Sequence, residues 1–183
     1  MTQLRLDKLN ASLLNSGLFA VALNPGPTLT YLTGVAFHLM ERPVVLLVSP
    51  DKDPVLVLPE LELPKVDLFP YKIQAFAYGE NPSEWDDAFR KAAHSLGLDG
   101  KRIGVEPRQM RLLEFSHVKS GAPEAEYPDA SNVLAGLRLK KDKAEVDAMR
   151  KAVKIAQDAL KAVIPQIKIG MTERELASEL VMQ

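Results

Sequence analysis

Cysteine is absent from this 183-residue chain. Its absence excludes disulfides, a thiolate nucleophile and any Cys-based zinc or iron–sulfur site. Long apolar runs are missing as well: no window approaches the ~20 consecutive apolar residues of a membrane span. The first 14 residues, MTQLRLDKLNASLL, alternate charge with leucine and lack the apolar core of a signal peptide. Neither sign of charge dominates, since 23 Lys+Arg stand against 24 Asp+Glu for a formal net charge of -1. The only dense basic run is Arg138, Lys140, Lys141 and Lys143. It reads as the solvated edge and first turn of a helix, not as a nucleic-acid face. The expectation is a cytoplasmic protein that binds neither nucleic acid nor membrane.

Familiar catalytic signatures are also missing. There is no HExxH, no Asp/His/Glu cluster with metal-ligand spacing and no GxSxG elbow. The segment Asn24-Pro25-Gly26-Pro27 lies between a strand and a helix, where a phosphate loop would lie. Prolines flank its single glycine, however, and remove the backbone donors that a phosphate nest needs. His94 and His117 each fall in a helix without a second histidine or a patterned carboxylate, and read as surface or structural residues. The carboxylate pairs Asp51/Asp53, Asp86/Asp87 and Glu124/Glu126 read as hairpin-tip, helix-surface and edge-strand residues.

What is present is ordinary globular material: 46% hydrophobic and 26% charged residues, enough for one generous domain or a domain plus a fragment. Leu4, Leu6, Leu9, Leu13 and Leu14 predict a first helix ending near Gly17. The run LFAVAL at residues 18–23 predicts a strand stopped by Asn-Pro-Gly-Pro, and residues 28–33 a short helix closed by Gly34. Two β-branched runs, residues 44–48 and 55–58, flank Ser-Pro-Asp-Lys-Asp and predict a hairpin. Residues 60–66 are ambiguous and could form a helical turn; residues 71–77 predict another strand. Asn81-Pro82-Ser83-Glu84 is a helix start, with Trp85, Ala88, Phe89, Ala92, Ala93 and Leu96 on one face. Residues 102–105 predict a short strand, Pro107 a helix through Val118, residues 124–127 a last strand, and Asp129 or Ser131 one more turn through Leu137. Strands alternating with such helices predict an α/β fold with a mixed twisted sheet of five or six strands flanked by helices.

The carboxy-terminal stretch has a different grammar. Asp142 and Glu145 form a capping-box signal. Val146, Met149, Val153, Ala156, Leu160 and Val163 then make one stripe along about 22 residues, a rod of roughly 33 Å. Thr172 and Glu175 repeat the signal, with Leu176 and Leu180 beginning a second stripe. The expectation is a chain cut from something larger, whose exposed stripes either associate or leave these helices poorly ordered.

One loop carries groups that could do chemistry. Residues 34–43, GVAFHLMERP, place Phe37, His38 and Arg42 between a helix and a central strand. Arg42 could grip a carboxylate in bidentate fashion and His38 could donate to a carbonyl. The plainer alternative is that Arg42 bonds a local carbonyl or Glu41, and that His38 caps the loop.

Five segments taken together resemble the amino-terminal half of the Xaa-Pro peptidase family, which holds prolidases and proline aminopeptidases, with creatinase as a cousin. They are NPGPTLTYLTG at 24–34, VLVLPELE at 55–62, IGVE at 103–106, LRLKKDKAEVDAMRKA at 137–152 and GMTERELASEL at 170–180. In the fourth, Arg138, Lys140, Glu145, Met149, Arg150 and Ala152 match the family's usual form, with Leu139 in place of the usual isoleucine. The resemblance implies a creatinase/prolidase-like amino-terminal α/β domain at residues 1–137. Residues 138–183 would be the linker and first helices of a truncated α+β pita-bread catalytic domain. It further implies two divalent metal ions (Mn, Co or Zn) held by two Asp, one His and two Glu, all beyond Gln183, so that this chain carries no cofactor and no catalytic residue and is inactive alone. By placement, Phe37, His38 and Arg42 become candidates for gating a proline-containing peptide at the mouth of the site in a homodimeric parent. Two alternatives stay open: a creatinase-like C–N hydrolase, and a non-catalytic binding homologue.

Overall fold

The computed structural model describes residues 2–182. The chain divides into two compact units, Met1–Leu139 and Lys140–Gln183.

In the first unit, α1 (Thr2–Ser16) leads into β1 (Ala20–Leu23), α2 (Pro27–Thr33), β2 (Val45–Val48) and β3 (Val55–Pro59). A 3₁₀ segment, Glu60–Leu68, leads to β4 (Gln74–Tyr78), followed by α3 (Trp85–Leu96), β5 (Ile103–Val105), α4 (Leu112–Gly121) and α5 (Ser131–Leu139). The sheet has five strands in the order β4-β3-β2-β1-β5. β2 runs against both β1 and β3, whereas β4 is parallel to β3 and β5 to β1. The sheet is therefore mixed, as the hairpin at residues 44–58 requires.

Alternation along the strands makes two cores. Val21, Leu23, Leu46, Val48, Leu56 and Leu58 face Leu6, Leu9 and Leu13 of α1, Leu29 and Leu32 of α2, and Leu134 and Leu137 of α5. Their neighbours Ala20, Ala22, Val45, Leu47, Val55 and Val57 face the buried stripe of α3, Trp85 to Leu96, and Val118 of α4. Both faces are buried, which is why the strands read as continuous apolar runs. Gly34, at φ 76, closes α2 with its N–H on the Thr30 carbonyl.

Two elements differ from the sequence reading. Pro107 opens only a turn, in which the N–H groups of Gln109 and Met110 both bond the Glu106 carbonyl. Arg111 then turns extended, at φ -78 and ψ 158, and the helix begins at Leu112. Residues 124–127 form no strand. They reach β5 only through isolated parallel bridges, Arg102 to Glu126 and Val105 to Asp129. The N–H groups of Ile103 and Val105 do bond the Glu126 and Pro128 carbonyls. Pro128 has no N–H to return, so the ladder cannot run on.

The second unit holds α6 (Lys143–Val163), a 3₁₀ turn at Ile164–Gln166 and α7 (Glu173–Met182). The Asp142 side chain accepts from the Glu145 N–H at 2.9 Å, while Glu145 accepts from the Asp142 N–H at 2.8 Å, a complete capping box. Thr172 and Glu175 form the reciprocal pair at α7. Both helices are formed, and Met149, Val153 and Leu160 of the α6 stripe are more than half exposed.

Candidate functional site

Strand direction brings the irregular segments together. β1, β3, β4 and β5 all point the same way, so their carboxyl ends share one end of the sheet, where β2 begins. The carboxyl ends of parallel strands are where open α/β sheets place their ligand crevices. At this end lie residues 24–26 after β1, the loop 35–43 before β2, the 3₁₀ segment after β3, residues 79–81 after β4 and residues 106–111 after β5.

The three candidates in the loop occupy different environments. Phe37 is buried in the α1-side core, its ring tilted 43° to that of Phe69 at 6.4 Å, with the Lys65 ammonium 4.8 Å from its ring centroid. His38 is exposed, as are Leu39 and Met40. Arg42 donates to Glu80 in the segment after β4, neither to Glu41 nor to a local carbonyl, and Glu80 itself is largely open to solvent. The structure thus keeps His38 and Arg42 at one solvent-facing edge and uses Phe37 as the loop's apolar root.

Residues distant in sequence hold that loop in place. Lys65 donates to the Ala36 carbonyl at 3.3 Å, Arg111 to the Met40 carbonyl at 2.6 Å and the buried Tyr78 hydroxyl to the Pro43 carbonyl at 2.6 Å. Burial, before any neighbouring charge, drives the Tyr78 phenol well above its ordinary range. Arg111 is in turn gripped by Glu114, a carboxylate with no exposure, its Nε lying 3.0 Å from each oxygen. None of these clasps emerged from the sequence reading. The one available signal was Arg111-x-x-Glu114 opening an otherwise apolar helical turn, where a charge at a core position needs a partner.

Next to the loop, Thr28 donates to the Glu106 carboxylate at 2.9 Å, and the buried Asn24 amide donates to the Gln109 carbonyl at 3.3 Å. Two of the resembling segments, 24–34 and 103–106, thereby meet across neighbouring parallel strands.

His94 is exposed on α3. His117 Nδ1 lies 2.6 Å from Asp86 Oδ1, and its ring stacks on Phe89. Asp53 pairs with Lys72 and Asp87 with Lys91, both near the surface. Among the described residues no group of three His, Asp or Glu could hold a metal ion, so the side chains present here do not fit a dinuclear metal centre. No helix among them is long and apolar enough to cross a membrane.

A mixed five-stranded sheet between helical layers, with its irregular loops collected at one end, defines an α/β domain. The chain belongs to the Creatinase/Prolidase N-terminal domain family, whose model matches residues 5–140. It is similar to the Xaa-Pro dipeptidase of Lactobacillus helveticus, with 26% identity over 184 aligned positions that cover 98% of this chain and 49% of that protein. Among solved structures it is similar to dipeptidase PepE of Mycobacterium ulcerans, with a TM-score of 0.84 and 26% identity, covering 99% of this chain and 48% of that one. A dipeptidase of Pyrococcus horikoshii OT3 is 31% identical with a TM-score of 0.80, covering 97% of this chain and 48% of that one. The chain spans about half the length of these relatives.

Proposed function

We propose that this chain is the amino-terminal portion of a metal-dependent peptidase that hydrolyses Xaa-Pro bonds, as a dipeptidase or an aminopeptidase. The observation that carries the reading is its likeness, along nearly the whole chain, to an Xaa-Pro dipeptidase and to two dipeptidase structures, each about twice as long. Residues 138–183 then open the catalytic domain. The two divalent ions (Mn, Co or Zn) are held by residues of the catalytic domain, a role the family likeness supports. No bond-breaking step is assigned to any residue of the chain, and the 183-residue piece is inactive by itself.

In this reading the first unit covers the mouth of the catalytic site in a cytoplasmic homodimer, and the loop 35–43 does the gating. Phe37 roots the loop. His38 projects from it and supplies a hydrogen bond to a peptide carbonyl. Arg42 exchanges its exposed partner Glu80 for the carboxylate of a short proline-containing peptide. An exposed ion pair of that kind is worth little, so a well-placed bidentate ligand can replace it.

The test assays a longer form of the protein and the 183-residue piece side by side. Each receives Mn²⁺, Co²⁺ or Zn²⁺ and is offered Ala-Pro, Leu-Pro and a longer Xaa-Pro peptide. The longer form should cleave at least one of them and the short piece none. Cleavage by the short piece, or none by a metal-loaded longer form, sinks the reading.

A further inference from the structure

We infer that Glu114 is a positioning residue for the tip of the loop at residues 35–43, and that it acts through Arg111. The inference deepens the gating role proposed for that loop and rests on it only for its kinetic consequence.

Glu114 lies in the first turn of α4 with no exposed surface. A carboxylate in that position costs free energy unless its lone pairs are met, and a well-packed apolar side chain would serve stability as well or better. Stability therefore does not account for it. What the carboxylate does is orient a guanidinium. Arg111 Nε bonds both Glu114 oxygens at 3.0 Å and Nη2 bonds Oε1, which leaves the planar fork one orientation. In that orientation Nη2 also reaches the Met40 carbonyl at 2.6 Å, 71 residues away in the chain.

The place of that bond in the loop gives it its effect. Lys65 holds the Ala36 carbonyl, Phe37 is buried, and Tyr78 holds the Pro43 carbonyl, so both ends of the loop are secured independently of Arg111. Met40 lies midway between His38 and Arg42. The Arg111 bond ties down the tip between them, and together with the Arg42–Glu80 pair it sets where the gating side chains project. Removing the charged pair should free the tip and leave the ends anchored.

The variant that separates positioning from folding is Arg111→Met combined with Glu114→Met. It removes both charges together and leaves neither buried without a partner. The wild-type chain should show backbone amide order parameters of about 0.85 at residues 38–41, and the double variant values below about 0.6, with the melting temperature little changed. Unchanged order at the tip in a folded double variant overturns the inference. In the longer enzyme the same variant should raise KM for a dipeptide about tenfold and leave kcat within about twofold, the pattern of lost substrate binding. A tip that loosens without any change in KM or kcat upholds the positioning role and removes the gating reading instead.

Discussion

A Cβ built on Gly121 would stand 2.8 Å from the carbonyl oxygen of Phe89. Helices α3 and α4 therefore meet backbone to backbone at this point, and no side chain fits between them. Since the obstacle is main chain, it cannot swing aside. Gly121→Ala must push the helices apart, and overpacking of this kind costs roughly 1–3 kcal/mol. A denaturation midpoint lowered by that free energy divided by the m-value, with the m-value itself unchanged, is the expected result. A midpoint equal to the parent's would show that the helices separate at no cost.

His117 lies over the same helix, its ring centroid 5.1 Å from that of Phe89 at 21°, and 5.9 Å from that of Trp85. Its pairing with Asp86 is half open to solvent on the carboxylate side. Packing should outweigh the contact with Asp86, because partly exposed polar pairs contribute little. His117→Ala is expected to destabilise by about 1–3 kcal/mol and Asp86→Asn by less than about 1 kcal/mol. Thermal melts of the two variants decide the matter. A larger loss in Asp86→Asn would reverse this ranking.

Tyr71 and Tyr127 are pushed up to about 12 from 10.0, chiefly by burial, and Tyr78 is driven higher still for the same reason. A raised folded-state pKa means that the folded chain holds these protons more tightly than the unfolded chain does. The stabilising contribution is full below about pH 10 and is lost as the pH climbs from there toward the folded values. Denaturant midpoints should fall across that window. Tyrosinate absorbance from these three residues should appear together with the loss of far-ultraviolet dichroism. Ordinary ionisation near pH 10 in a still-folded chain would contradict the burial argument.

Asp142 and Glu145 close the amino end of α6 on itself. Asp142→Ala removes the acceptor for the Glu145 N–H and should cost about 1 kcal/mol, within the usual range for caps. Carbon chemical shifts over residues 143–147 should move toward coil values, while those in the middle of α6 hold. No change in the first turn would mean that the cap is dispensable there.

Much of the architecture was written locally. The leucine spacing of α1, the Asn81-Pro82 start before α3, the hairpin turn at residues 49–53 and the Asp142 capping box each depend on residues a few positions apart. Short-range sterics and hydrogen bonding settle such features, and all of them stand in the structure. The misread pieces failed for reasons that lie further away. The turn after Pro107 ends because Arg111 extends to reach Glu114 and Met40, and residues 124–127 fall short of a strand because Pro128 has no N–H to give β5.

The residues themselves determined an α/β domain with a mixed sheet, a helical unit after it, and a loop bearing Phe37, His38 and Arg42, because periodicity and turn chemistry act over a few residues. Only the tertiary structure decided where those three lie. It sent Phe37 into the core, left His38 in solvent and joined Arg42 to Glu80, 38 positions along the chain. It also buried Glu114 at no cost in unpaired charge by bringing Arg111 across it. The pairing of Arg42 with Glu80 and the bond from Arg111 to the Met40 carbonyl arise when the sheet sets its strand ends side by side, and spacing along the chain carries no trace of them.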